Sequence, residues 1–107
     1  MDLCVKVYTY TQADGPIKRD FGLKDQLQKS AVSVPSNIAE GETRNTIKQR
    51  LSFFNYATAS LAELHTQIII NYRIGYLRED LYKEFDKDCT DLSVRLQNFI
   101  NYRKKNG

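Results

Sequence analysis

One histidine and two cysteines in 107 residues leave this chain short of the side chains from which metal centres and nucleophilic active sites are assembled. His65 has no second imidazole with which to complete a hydrolase-type triad. Cys4 and Cys89 fall outside any CxxC or Cys/His spacing, so two reduced, buried thiols are the expectation. The five glycines are scattered, which excludes a glycine-rich phosphate loop. Apolar runs such as Ile68-Ile69-Ile70 stop far short of the ~20 residues of a membrane span, and the first residues lack the basic-then-apolar order of a signal peptide. A cytoplasmic protein without a membrane segment is therefore expected. Internal repeats and low-complexity stretches are also missing.

What is present is helical periodicity in a chain of single-domain length, residues 1–107, able to bury roughly two thirds of its unfolded surface without a disulfide or metal. Residues 2–11 carry Leu3, Val7 and Tyr10 and predict a short first helix, although the β-branched and tyrosine content of residues 5–10 would also suit a strand. Asp14-Gly15-Pro16 marks a loop. A second helix runs from near Asp20, its N-cap, to around Gly41, with Leu23, Leu27, Ala31, Val34 and Ile38 on one stripe. Thr43 or Asn45 is placed to cap a third helix, in which Ile47, Leu51, Phe54, Thr58, Leu61, Leu64 and Ile68 form a buried seam and which Gly75 ends. The fourth helix extends from about Glu79 to Arg103, with Leu81, Phe85, Leu92, Leu96 and Phe99 as its core stripe and Ile100 or Tyr102 beside it. Its acids crowd the N-terminal half and its bases follow, as the helix dipole favours. Short loops between long helices predict an all-α fold, an antiparallel up-down-up-down four-helix bundle with a short first helix.

Pro35 interrupts this pattern. It has no N–H for the carbonyl of Ala31 and crowds it, at ~3 kcal/mol in a helix interior. The apolar stripe nevertheless continues across it, which favours one kinked helix with Ser33, Ser36 and Asn37 satisfying the loosened backbone. Two separate elements are the alternative.

The run Phe21-Gly22-Leu23, Asp25-Gln26-Leu27 and Ser30-Ala31-Val32-Ser33-Val34-Pro35-Ser36-Asn37-Ile38-Ala39-Glu40-Gly41, followed by Ser60-Leu61-Ala62-Glu63-Leu64, resembles a bacterial four-helix-bundle family. That family includes proteins encoded in intervening sequences of 23S rRNA genes and the accessory variability determinant of diversity-generating retroelements. The resemblance runs from about Val5 to the end of the third helix. It implies a fold and an assembly more than a reaction: a homopentamer with a central channel, associated with nucleic acid or with an RNA-bound enzyme such as a reverse transcriptase. The chain departs from the pattern at its start, where the first helix has few turns before Val7-Tyr8. One wall of the bundle should then be short, either because the start is clipped or because a neighbouring subunit covers the groove.

Asn37, Glu40, Glu63 and His65 form the tempting chemical constellation, since carboxylates and imidazoles inside a four-helix bundle can hold two metal ions. The spacing fails, because Glu63 and His65 stand at i and i+2 and lie on different helix faces. Neither an enzyme nor a cofactor is expected. Glu40 is read as bonding N–H groups near Gly41 or pairing with Arg44, Glu63 as pairing with a base of an adjacent helix or subunit, and Asn37 as serving the Pro35 kink.

The functional candidate is a basic surface. Lys24 and Lys29 decorate the second helix, Arg44, Lys48 and Arg50 open the third, and Arg103-Lys104-Lys105 adds a basic tail. A net charge of +3 is modest for one chain, but a ring of subunits would repeat the patch and raise its potential. Two readings follow: a non-enzymatic oligomer that binds RNA or DNA through Lys24, Lys29, Arg44, Lys48 and Arg50, or a protein-interaction scaffold whose charges keep it soluble. Tyr56, Tyr72, Tyr76 and Tyr82 beside the core stripes suit subunit contacts as well as a small core. Reversing Arg44 and Lys48 to Glu is expected to abolish binding without lowering stability.

Overall fold

Helical periodicity without strand patterning resolves into helices alone. The computed structural model describes residues 2–106, and these form five helices and no strand: α1 (Asp2–Gln12), α2 (Pro16–Arg19), α3 (Phe21–Glu42), α4 (Ile47–Arg73) and α5 (Glu79–Asn106). Residues 5–10 belong to α1 rather than to a strand. The loop expected at Asp14-Gly15-Pro16 ends at Gly15, because Pro16 sits in the first turn of α2, where its missing N–H has no partner to lose. That one-turn helix drives Ile17 into the core at 1% exposure.

Asp20 caps α3 as predicted, its Oδ1 accepting from the Leu23 N–H at 3.2 Å. Its second oxygen accepts from the Tyr76 hydroxyl at 3.0 Å, so the cap also ties α3 to the turn before α5. That hydrogen bond raises the Tyr76 pKa. The cap of α4 is Thr46, which accepts from Gln49 N–H, and neither Thr43 nor Asn45 fills the role. Thr43 instead follows the last turn of α3, where its hydroxyl donates to the Glu40 carbonyl. Gly75 takes a φ of +85° just beyond α4, the left-handed conformation that glycine adopts without strain.

α3 passes through Pro35 as one helix, which removes the two-element alternative. Asn37 donates to the Ser33 carbonyl at 2.8 Å and to Ser33 Oγ at 2.9 Å, and Ser33 Oγ lies 2.7 Å from Ser60 Oγ on α4. Side chains thus brace the turn around the proline and hook it to the next helix. Gly41 does not end the helix, which continues to Glu42 with ordinary negative φ at Gly41. It is a buried packing position against Phe54.

Contacts step down α4 as they step up α3, from Ser30–Glu63 through Ser33–Ser60 to Gly41–Phe54, so these two helices run antiparallel. The same descent joins α4 to α5 through Phe54–Phe99, His65–Asp86 and Tyr72–Tyr82. At 1.5 Å per residue these helices are roughly 33, 40 and 42 Å long, matching the 45 Å long axis. α1 is only 11 residues, and it covers α3 and α5 for part of their length. Lys6 of α1 bridges Glu84 and Asp88 of α5 at 3.1 and 2.6 Å, and these two bonds raise its pKa.

Two core clusters share Ile38. The larger gathers Val7, Ile17, Leu27, Ala31, Leu64, Ile68, Phe85 and Cys89 beneath α1, and the smaller holds Phe54, Ala57, Leu96 and Ile100 where only α3, α4 and α5 remain. Ile100, not Tyr102, joins the α5 stripe, and Ile47 at 37% exposure leaves the α4 seam. Cys89 is fully buried and free, its thiol pushed up to about 12 by burial, whereas Cys4 is partly exposed. Thr11 and Asn71, both at 0% exposure, are satisfied by partners distant in sequence: Gln28 donates to Thr11, and the Tyr10 hydroxyl donates to Asn71. Burial pushes the Tyr10 pKa up to about 12.

Candidate nucleic-acid interface

The antiparallel path brings the end of α3, the start of α4 and the end of α5 to one end of the molecule. Arg103 fixes that meeting, its Nη1 donating to Glu42 Oε1 at 2.8 Å while its guanidinium lies 5.6 and 5.5 Å from the rings of Phe54 and Phe99. Residues 40–50 and 95–105 hold seven bases and two acids, whereas the rest of the chain holds nine bases and eleven acids. The positive excess of the whole chain therefore resides at this end.

Arg44 pairs with Glu40 one turn earlier and stacks over Phe53 at 4.6 Å. Its backbone carbonyl accepts from Arg50 Nε at 2.8 Å, which closes the α3–α4 corner. Its own Nε is buried and, among the described residues, has no hydrogen-bond partner. Lys48, Lys104 and Lys105 are exposed, and among the described residues none of the three is in an ion pair. The free charge of this end lies on the three lysines, and Arg44 and Arg50 are built into the corner that presents them.

Lys24 and Lys29 lie elsewhere. Eighteen residues of α3 separate Lys24 from Glu42, about 27 Å along the helix. Lys24 reaches back to the Lys18 carbonyl at 3.3 Å and lies 4.9 Å over the Phe21 ring, and Lys29 pairs with Asp25 at 3.0 Å. The five basic residues expected from sequence thus divide into a cluster of three and two outliers. The sequence carries no signal for the Arg44–Phe53 stack or for Glu42 as the anchor of Arg103, because both depend on how the helices meet.

Among the described residues Glu63 has no basic partner. Its Oε1 accepts from Ser30 Oγ at 3.1 Å and Gln67 Nε2 at 3.4 Å, so the expected ion pair is replaced by a polar cluster with neutral partners between α3 and α4. His65 lies 2.7 Å from Asp86 and links α4 to α5. Glu63 and His65 therefore serve different helices. Of the tyrosines, Tyr72 and Tyr82 stack at 4.1 Å within the chain, while Tyr56 stays 57% exposed. A cleft of about 490 Å³ opens at the opposite end between α1, α2 and the turn before α5, lined by Val5, Tyr10, Ile17, Leu77 and Leu81. Among the described residues no helix is long and apolar enough to cross a membrane.

The motif around Pro35 lies in the middle of α3, where the family resemblance is densest. The sequence pattern of the 23S rRNA-intervening sequence protein family matches residues 1–98. The chain belongs to that family. Among solved structures it is similar to a protein of unknown function from the S23 ribosomal protein family of Bacteroides thetaiotaomicron. The two share 20% identity over 92% of each chain with a TM-score of 0.83, a likeness of fold. No curated protein matches it. Within this family, then, the chain carries its bundle with a basic end formed by α3, α4 and α5.

Proposed function

We propose that this family member is a non-enzymatic accessory protein that binds nucleic acid, RNA or DNA, through the basic end of its bundle. The observation that carries the reading is the gathering of Lys48, Lys104 and Lys105, exposed and free of ion pairs among the described residues, around a corner held by Arg44, Arg50 and Arg103. Unpaired lysines on rigid helices meet phosphates without first breaking a bridge, and each contact releases counterions. The reading leaves Lys24 and Lys29 outside the interface. It also takes the chain to be a homo-oligomer, a pentamer by its family resemblance, so that several basic ends act together on one strand. Support for assembly comes from an apolar recess of about 70 Å³ that Leu3 and Cys4 of α1 line together with Val34, Ile38 and Leu92. In such an assembly a nucleic-acid-bound enzyme, such as a reverse transcriptase, would be held through its RNA.

The test is fluorescence anisotropy of a labelled ~30-nucleotide RNA and its DNA equivalent at low salt, a length that several phosphate contacts can share. Replacing Lys48, Lys104 and Lys105 with Gln is expected to weaken binding at least tenfold, while Lys24→Gln with Lys29→Gln changes it less than twofold. Equal losses from the two sets would move the interface away from this end. Absence of binding at low salt would leave the alternative, a protein-interaction scaffold.

A further inference from the structure

The basic end carries aromatic rings that the core does not need. Phe54 and Ala57, both at 0% exposure, supply the core of α4 at this level, and Tyr56 between them turns outward. The Tyr56 ring is supported from one side, edge-on to Phe53 at 5.8 Å and 89°. Phe53 in turn lies under the Arg44 guanidinium, which Glu40 holds. The result is a ladder of cation, ring and ring on the outer face of α4. Lys48 stands two turns before Tyr56, at i and i+8 on that face. A second ring, Tyr102, is 63% exposed in the last turns of α5, next in sequence to Arg103.

Phosphate contacts alone do not favour a single strand over a duplex, whose charge density is higher. A ring with an open face does, because duplex bases are already stacked on each other and closed to a side chain, whereas unpaired bases can settle on an aromatic plane. Tyrosine is well suited to this, since it has few rotatable bonds and loses little freedom when a base covers it, and the neighbouring Phe53 restrains it further. The spacing of Lys48 and Tyr56 is about 12 Å along α4, long enough to set a phosphate contact and a stacked base on successive nucleotides of one strand.

We infer that the nucleic acid taken by this end is single-stranded, with a base stacked on Tyr56 while Lys48 and the lysines of α5 hold the backbone. This rests on the proposed function and names its ligand class. Stacking accepts any base, so the surface binds without sequence preference.

The test compares a labelled single-stranded RNA of about 20 nucleotides, the single-stranded DNA of the same sequence and the blunt DNA duplex, with wild-type protein, Tyr56→Ala and Tyr56→Phe. Wild type is expected to bind both single strands about tenfold more tightly than the duplex, in the range that one or two stacked bases supply. Tyr56→Ala should lose most of that preference and leave duplex binding unchanged, while Tyr56→Phe keeps it. Equal affinity of wild type for strand and duplex would overturn the inference while leaving the proposed function standing. A Tyr56→Ala protein that changes its sedimentation but still binds single strands normally would also overturn it, by placing Tyr56 between copies. No binding to any of the three would overturn the proposed function first and this inference with it.

Discussion

Gly41 and Phe54 are in contact across the α3–α4 corner with no room for a side chain between them. A Cβ at Gly41 would fall 2.5 Å from Cε1 and 2.9 Å from Cδ1 of Phe54, and 3.2 Å from the Arg50 carbonyl. Phe54 is fully buried between Gly41 and Phe99, its ring 5.0 Å from the Phe99 ring, and cannot swing outward without opening the smaller core cluster. In an unconstrained helix Gly→Ala stabilises by up to ~1 kcal/mol. Here Gly41→Ala should destabilise by ~1–3 kcal/mol through overpacking. A lowered urea midpoint checks this, and Phe54→Leu in the same chain should recover part of the loss. A raised midpoint for Gly41→Ala alone would mean that the two helices separate freely.

Arg44, in the loop before α4, and Lys48, in the first turn of α4, should behave differently. Arg44→Glu removes the pair with Glu40 and the stack on Phe53, and it sets two carboxylates at i and i+4. A loss of ~1 kcal/mol is expected. Lys48→Glu touches only solvent and should change stability by less than ~0.5 kcal/mol. The sequence alone suggests that both reversals are silent for stability; the Glu40 pair and the Phe53 stack give the opposite expectation for Arg44→Glu alone. Thermal melts of the two single variants decide it, and equal melting temperatures would count against the corner described for Arg44.

Alkaline conditions should weaken the fold from within. The Cys89 thiol, with an ordinary value of 9.0, is pushed up to about 12 by burial, and Tyr10 is pushed from 10.0 to about 12 by the same cause. As pH rises past 9 the unfolded chain gives up the Cys89 proton while the folded chain keeps it, so the unfolded state gains. The stability contributed by these neutral groups is full below pH 9, falls as pH climbs toward 12, and Tyr10 adds its share above pH 10. Urea midpoints at about pH 8 and pH 10 should differ in that direction, and Cys89→Ala should flatten the early part of the fall. In native protein a thiol reagent should modify Cys4 faster than Cys89, which reacts only on unfolding. Equal rates at the two cysteines would contradict the burial of Cys89.

Much of the scaffold was legible because it obeys a local period. Leu27, Ala31 and Val34, then Phe54, Leu61, Leu64 and Ile68, then Phe85 and Leu96 fall on helical stripes and are all buried. Ile17 was hidden because Asp14-Gly15-Pro16 reads as a loop, although proline also opens helices. Asn71 and Thr11 were hidden because a buried polar residue is acceptable only once its partner is known, and Tyr10 and Gln28 are 61 and 17 residues away. In the candidate interface, Lys48 and Arg50 share the first turn of α4, which a sequence displays, whereas Arg44, read as part of that helix, lies in the loop before it and is joined to Arg50 through its carbonyl. Their union with Lys104 and Lys105, and the separation of Lys24 and Lys29, follow from helix lengths and antiparallel register, which it does not. The end of α3 around Gly41 was legible to within a residue, but the role of Gly41 was not: its missing Cβ makes room for Phe54, a residue of the next helix.

The most direct test of the central claim is the salt dependence of binding to a labelled single-stranded RNA, for wild type and for the triple variant Lys48→Gln, Lys104→Gln, Lys105→Gln. Each phosphate neutralised contributes about 0.7 to the slope of log affinity against log salt for a single strand. Tight binding at low salt with a steep slope is expected for wild type, and a slope smaller by about 2 for the variant. Wild-type binding whose slope is unchanged by the three substitutions, or no binding at low salt, would contradict that claim.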